Sequence, residues 1–268
     1  MDARRVFDQM CSHDVMSWTS LVLACVDCGE EDTALELFQR MICEGHALTS
    51  SSIVTAALKA CIRVAAREEA TQVDGKAVKV SSLEKGIAIH CQASKLLRHW
   101  DFVLDSSLME MYAKCGSLVD AQRVFDSMPH RDVVSWTVLM SGYAECGDGN
   151  KVLELFVGMK LKLGQACCAL DARVFVPVLK GSSSVGSLEV TKAIVGEVYR
   201  YGAEKDIVLS NSMVDVFGKA GSMNDAQQTF DADSRSDSME RSRSWIQPPG
   251  RRREGPGCLS PGCGRRRS

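Results

Sequence analysis

The sequence predicts an all-α, right-handed solenoid of helix-turn-helix repeats, and three observations carry that prediction. One phrase recurs: Asp2-Ala3-x-x-Val6-Phe7-Asp8-x-Met10 returns as Asp120-Ala121-x-x-Val124-Phe125-Asp126-x-Met128, and Asp225-Ala226-x-x-Thr229-Phe230-Asp231 follows later. The two offsets, 118 and 105 residues, both reduce to about 101 once local insertions are removed, so they share one three-unit period. Each unit also carries apolar residues at helical spacing, broken once by glycine. Two short helices bury too little apolar surface alone, whereas stacked pairs stabilise one another through nearest-neighbour interfaces.

The units follow in order. Residues 1–14 are the end of a 31-residue unit whose beginning is missing, so the chain reads as clipped at its start. Residues 15–50 form the next unit and return as 133–171, with a small insertion near Leu163–Cys168. Residues 51–101 return as 172–206, but the first copy is about 16 residues longer. The excess falls at about 66–80, "AREEATQVDGKAVKV", and is expected as a flexible loop between two helices, since insertions in solenoids map to one face. Residues 102–132 return as 207–237, 31 residues in each copy.

The unit at 102–132 shows the local logic. Leu108, Met111 and Tyr112 give its first helix an apolar stripe. Gly116 stands where a left-handed residue ends a helix. Ser117 is positioned to cap the second helix, with Asp120 suited to its positive N-terminus. Leu118, Ala121, Phe125 and Met128 then share one face, and Pro129 stops the helix. Gly29, Gly147, Gly186 and Gly221 punctuate other units at the same place. Ala34, Ala121 and Ala226 mark close helix approach, with Val152 as the bulkier counterpart.

Composition excludes several classes. The 268 residues are 45% hydrophobic and 25% charged, within the globular range. No apolar run approaches the roughly 18 residues that span a bilayer, and no secretory or transit segment is visible. Residues 238–268 hold eight Arg and two Glu, which leaves −8 on residues 1–237 within a total of −2. Any nucleic-acid binding by the patterned region therefore needs placed residues rather than a bulk basic field. The 12 cysteines are scattered, many inside helices such as Cys61, Cys91 and Cys115, and read as small buried groups in a reducing compartment.

The phrases "MYAKCGS", "RVFDSMPHRD" and "VVSW", in units of alternating length, resemble the pentatricopeptide repeats of the plant PLS subgroup. These combine 35-residue P, roughly 35-residue L and 31-residue S repeats, and the resemblance covers about residues 1–237. Tetratricopeptide repeats are also helical hairpins, but they do not alternate 31 and 35 residues. In these terms the chain reads as the end of an S repeat, then P, L, S, P, L and S.

The resemblance implies a single-stranded RNA partner, read at about one base per repeat. It assigns base choice to the fifth and last residues of a repeat. Ser106 then works with Asp132, and Thr137 with Asp171, both guanine-leaning combinations. Asn211 with Asp237 is uracil-leaning. The L repeats contribute Thr55 with Asp101 and Val176 with Asp206, although Val176 has no hydrogen-bonding group. Thr19 has no matching Asp or Asn, because its repeat ends in Thr49-Ser50. Lys114, Lys219 and Arg63 occupy the places where similar proteins contact phosphate, while Asp27 and Glu145 hold them in the P repeats. Outside the resemblance, Thr137 and Asn211 read as helix-start residues and the aspartates as loop residues.

The resemblance also implies a mitochondrial or chloroplast setting, RNA processing or modification such as C-to-U editing, and a deaminase or other editing factors supplied in trans. No enzyme, cofactor or metal site is expected in this chain. A zinc deaminase needs His-x-Glu with Pro-Cys-x-x-Cys, and none of His13, His46, His90, His99 or His130 has Glu two residues on. Cys25-Val-Asp-Cys28 lies within a predicted helix with no second ligand pair. Phosphate-loop, dinucleotide and nucleophile-elbow patterns are absent. The tail at 238–268 is expected to be disordered and basic, without the subgroup's C-terminal extensions. Competing readings are a helical protein–protein scaffold and a fragment of a longer editing factor.

Overall fold

The computed structural model describes residues 3–10, 12–46, 51–73, 75–97, 100–164 and 170–231. The expected ends of the first P and last S repeats (Thr49, Ser50 and Asp237) and the basic tail lie outside them. In chain order the elements are α1 (Ala3–Asp8), α2 (Val15–Cys28), α3 (Glu31–Cys43), α4 (Ser51–Arg67), β1 (Thr71–Val73), β2 (Lys76–Val78), α5 (Val80–Leu96), α6 (Phe102–Lys114) and α7 (Leu118–Ser127). Then come α8 (Val133–Glu145), α9 (Gly149–Leu163), α10 (Ala172–Val185), α11 (Leu188–Arg200), α12 (Ile207–Lys219) and α13 (residues 223–231).

The helices form an α-solenoid of hairpins. The first helices, α2, α4, α6, α8, α10 and α12, pack in sequence, each against the next. Among them, the second helices α3, α7 and α9 wedge between their own first helix and the one that follows. Ala34, Ala121 and Val152 are wholly buried in those wedges, as the crowding of two backbones demands. One continuous core results, with Trp18, Phe38, Met41, Leu58, Leu108, Leu139 and Phe175 almost or completely inaccessible.

Two repeat boundaries show how the recurring phrase becomes structure. Phe7 meets Trp18 edge-on at 4.7 Å between ring centroids, and Phe125 meets Trp136 at the same 4.7 Å. His13 Nε2 is 2.9 Å from the Phe7 carbonyl, while Arg131 donates Nε–H to the Phe125 carbonyl at 2.8 Å. The Phe therefore seals one hairpin against the next. The side chain just before the following helix cap pairs with a carbonyl at the helix C-terminus that also accepts a backbone amide, from Met10 or Met128. His13 and Arg131 differ chemically but do the same work.

The stretch after α4 departs from the expected loop. β1 and β2 pair antiparallel, with Thr71 opposite Val78 and Val73 opposite Lys76. Its base is tied down: Glu68 accepts hydrogen bonds from the Ser81 and Ser82 amides, both at 2.9 Å, and from the Ser82 hydroxyl. Burial alone would raise the Glu68 carboxyl; the Ser82 hydroxyl and the two amides outweigh it and hold it lowered. Ser117 also differs from expectation. Its hydroxyl donates to Asp120 Oδ2 at 2.6 Å rather than capping α7.

Candidate nucleic-acid interface

The site begins with the turn between repeats. Asp14, Asp101, Asp132, Asp171 and Asp206, expected as the last residues of their repeats, are each the N-cap of a first helix. Asp132 Oδ1 accepts the Ser135 N–H at 2.8 Å, Asp101 Oδ1 that of Leu104 at 2.8 Å, and Asp206 Oδ1 that of Val208 at 2.9 Å. The short carboxylate satisfies an orphan amide, which fixes its position at the helix mouth. At Asp132 and Asp206 both capping bonds fall on Oδ1, so Oδ2 takes no part in the cap. Asp101 Oδ2 instead accepts from the Ser51 hydroxyl, which ties the end of that repeat to the start of its own first helix.

The fifth residues lie one turn into the first helices. Thr19, Ser106 and Thr137 each donate their hydroxyl to the carbonyl four residues back, at 2.6, 2.9 and 2.7 Å. That bond uses the proton and leaves hydroxyl lone pairs as acceptors. Ser106, Thr137 and Val176 are partly buried, Asn211 is exposed, and Thr19 and Thr55 are buried. The two buried threonines therefore offer less to a ligand.

One step of the solenoid is fully assembled. A cavity of about 470 Å³ opens between α6, α8 and α10, and Thr137, Asp171, Lys114, Val134 and Arg173 line it together. Thr137 and Asp171, expected as the fifth and last residues of one repeat, thus share one chamber large enough for a nucleobase. Asp171 is further constrained: its Oδ2 accepts from Arg173 Nε at 2.8 Å and pairs with Nη2 at 2.6 Å. The Arg173 hydrogen bond, set against a smaller burial effect, holds the Asp171 carboxyl below its ordinary value.

The expected phosphate contacts are all engaged within the protein. Lys114 pairs with Glu145 at 2.6 Å and Lys219 with Asp215 at 2.6 Å, both at exposed positions. Such pairs are weak and exchange readily for another anion. Arg63 is different. It donates to the Val26 carbonyl and lies 3.7 Å from Glu31, a carboxylate only 2% exposed that also pairs with Arg67 at 2.9 Å. Arg63 therefore joins α4 to α2 and α3, and the buried Glu31 keeps Arg67 as its partner if Arg63 is released.

Sequence reasoning missed an apolar feature of this face. Met16, Val103, Val134 and Val208 occupy the second position of their repeats and are 68%, 58%, 55% and 57% exposed. Each stands three residues before a fifth residue, hence on the same helix face. Four hairpins thus present an exposed apolar side chain at the same place. The recurrence is visible in the sequence, but hydropathy does not show which way these helix-opening residues face. Arg173 holds the same place at the start of α10. Cys25 and Cys28 separate, one buried and one exposed. Among the described residues no group of three or more His, Cys, Asp or Glu could hold a metal ion, and no helix is long and apolar enough to cross a membrane.

A helical-repeat solenoid with a lined groove along its first helices is the class this fold defines. The family profile described as PPR repeat matches residues 16–46, 106–133, 134–162 and 208–232, which fall on the α2–α3, α6–α7, α8–α9 and α12–α13 hairpins. The chain belongs to the pentatricopeptide-repeat family. Pentatricopeptide repeat-containing protein At4g15720 of Arabidopsis thaliana is 33% identical over 85% of this chain and 34% of its own length. The chloroplastic At4g18520 (30% identical; 85% and 34%) and mitochondrial At2g03880 (33% identical; 84% and 32%) proteins of the same plant are similar. The chain spans about a third of the length of these relatives. The crystal structure of the pentatricopeptide repeat protein PPR10 in complex with an 18-nt psaJ RNA element shares the fold. It has a TM-score of 0.53 at 14% identity, covering 92% of this chain and 37% of that one.

Proposed function

We propose that the protein is a sequence-selective single-stranded RNA-binding adaptor for organellar transcripts, with alternating P, L and S repeats presenting successive bases to Ser106, Thr137, Val176 and Asn211. The observation that carries this reading is the chamber between α6, α8 and α10. It joins Thr137 and Asp171 beneath an apolar wall, Val134, with a lysine that an anion can claim from its partner. A base stacked on Val134 would present its edge to the threonine hydroxyl and the aspartate. The same arrangement is not required by a purely structural hairpin.

Two further findings support the reading. PPR10 is described in complex with an RNA element, and relatives of this chain are described as chloroplastic or mitochondrial. The protein acts in either organelle, on transcripts undergoing processing or modification such as C-to-U editing, with the deaminase supplied in trans. It is itself a non-enzymatic binding module.

Selection of bound RNAs from a random pool, at several salt concentrations, tests this. Guanine enriched at the step facing Thr137 and Asp171 is expected, with uracil at the Asn211 step. The bound pool should weaken as salt rises, because phosphate contacts release counterions. A bound pool no different from random would refute RNA reading and leave a helical protein scaffold.

A further inference from the structure

The hairpin β1–β2 stands on the rim that carries the candidate phosphate contacts. Its C-terminal end is joined to α6: the Lys79 amide donates to the Cys115 carbonyl at 3.0 Å. The Ala77 carbonyl lies so close to Gly116 that a Cβ there would approach it to 2.3 Å. Glu68 holds the other end. The insertion is thus a docked element of the S repeat 102–132, although the preceding L repeat encodes it.

Between the hairpin, α7 and the end of α8 lies a second cavity of about 620 Å³, lined by Gln72, Lys79, Lys114, Val119, Tyr143 and Glu145 among others. Ala113, Lys114 and Glu145 also line the chamber around Thr137. The two spaces therefore meet at the Lys114–Glu145 ion pair. Cations and carboxylates face each other across the second space, with Lys79 on the hairpin side and Glu145 and Asp148 on the far side. A bare phosphate would be repelled by that far wall. A whole nucleotide matches both sides: its phosphate takes the lysines, while ribose hydroxyl and base amino groups donate to carboxylates.

We propose that the hairpin is an accessory wall of the RNA groove, holding the nucleotide next to the one read at Thr137. This rests on the RNA-binding reading above. Lys114 leaves Glu145 for that nucleotide's phosphate, and Lys79 approaches the same phosphate from the hairpin. Gln72 meets the base or sugar edge. The insertion thereby adds one contacted nucleotide at the S-to-P step.

The test uses the intact chain and a single-stranded RNA selected by it from a random pool. Two variants are compared: Lys79→Ala, which keeps the amide that bonds Cys115, and a chain in which residues 70–78 are replaced by a short Gly-Ser link. A 3- to 10-fold weaker affinity is expected for both. The slope of log affinity against log salt should fall by about 0.7 for Lys79→Ala, the loss of one contact to a single strand. Ultraviolet crosslinks from RNA to the 68–85 peptide of the intact chain should be absent in the linked variant. Unchanged affinity, salt slope and crosslinks in both variants would overturn the accessory wall alone. Absence of RNA binding by the intact chain would overturn the RNA reading and this proposal together.

Discussion

Gly116 and Gly147 offer a controlled measurement of how firmly the hairpin is docked. Both follow the first helix of a repeat, with φ of +86° and +79°, where an L side chain is strained. Around Gly147 an added Cβ meets nothing within 4 Å. At Gly116 it would sit 2.3 Å from the Ala77 carbonyl and 3.3 Å from the Val78 Cα, about 1 Å inside ordinary contact. Gly147→Ala should therefore cost only the left-handed penalty, about 1–2 kcal/mol. Gly116→Ala carries that penalty and must also push the hairpin back. The retreat breaks the Lys79–Cys115 hydrogen bond and adds about 1–2 kcal/mol. Urea unfolding followed by circular dichroism should show the larger shift for Gly116→Ala. In the chain with residues 70–78 replaced by a link, the two alanine variants should become equal. Hydrogen exchange at the Lys79 amide should accelerate in Gly116→Ala and not in Gly147→Ala. Equal destabilisation in the intact chain would refute the docking argument.

Other outcomes follow from the same geometry. Trp136→Ala removes a buried indole packed on Phe125 and should cost about 3–5 kcal/mol, visible as a lowered thermal midpoint. Arg63→Ala should lower stability by about 1 kcal/mol, because Arg67 still faces Glu31, while leaving the salt slope of RNA binding unchanged. A reduced slope would restore Arg63 as a phosphate contact. Thr137→Asn should move preference at one RNA position from guanine toward uracil by about 1–3 kcal/mol, read by selection; an unchanged profile would count against the base assignment. Burial lowers the His90 pKa despite opposing attraction from Asp120 and Asp105. The folded state then binds fewer protons than the unfolded chain, so stability should fall as pH drops through about 6.5, the unperturbed histidine value. Chemical unfolding at pH 7.5 and 5.5 checks this, and His90→Gln should flatten the difference.

Chain spacing settled which residues stand fifth and last in a unit; pairing Thr137 with Asp171 came from the family resemblance, and the structure places both on one cavity. What those residues are bonded to was not legible. Arg173 reaches back to Asp171 through a side chain, and no spacing rule marks that contact. The exposure of Met16, Val103, Val134 and Val208 was not legible either, because hydropathy reports chemistry and not which way a helix faces. Lys114, Lys219 and Arg63 looked alike in sequence; their partners, an exposed Glu, an exposed Asp and a buried Glu, separate them.

By itself the sequence determined the helical hairpins, their order and the residues that seal them. Those features depend on local propensity and on contacts repeated at each boundary, such as Phe7 with Trp18 and Phe125 with Trp136. Only the tertiary structure decided the fate of the insertion after Arg67. Asp74-Gly75 between two short runs is a local hairpin signal, but a short two-stranded hairpin is marginal in isolation. It takes a defined place because the end of α6 supplies a free carbonyl at Cys115 and a bare backbone at Gly116 to receive it. Those atoms lie about 40 residues away in the chain, beyond the reach of any local pattern.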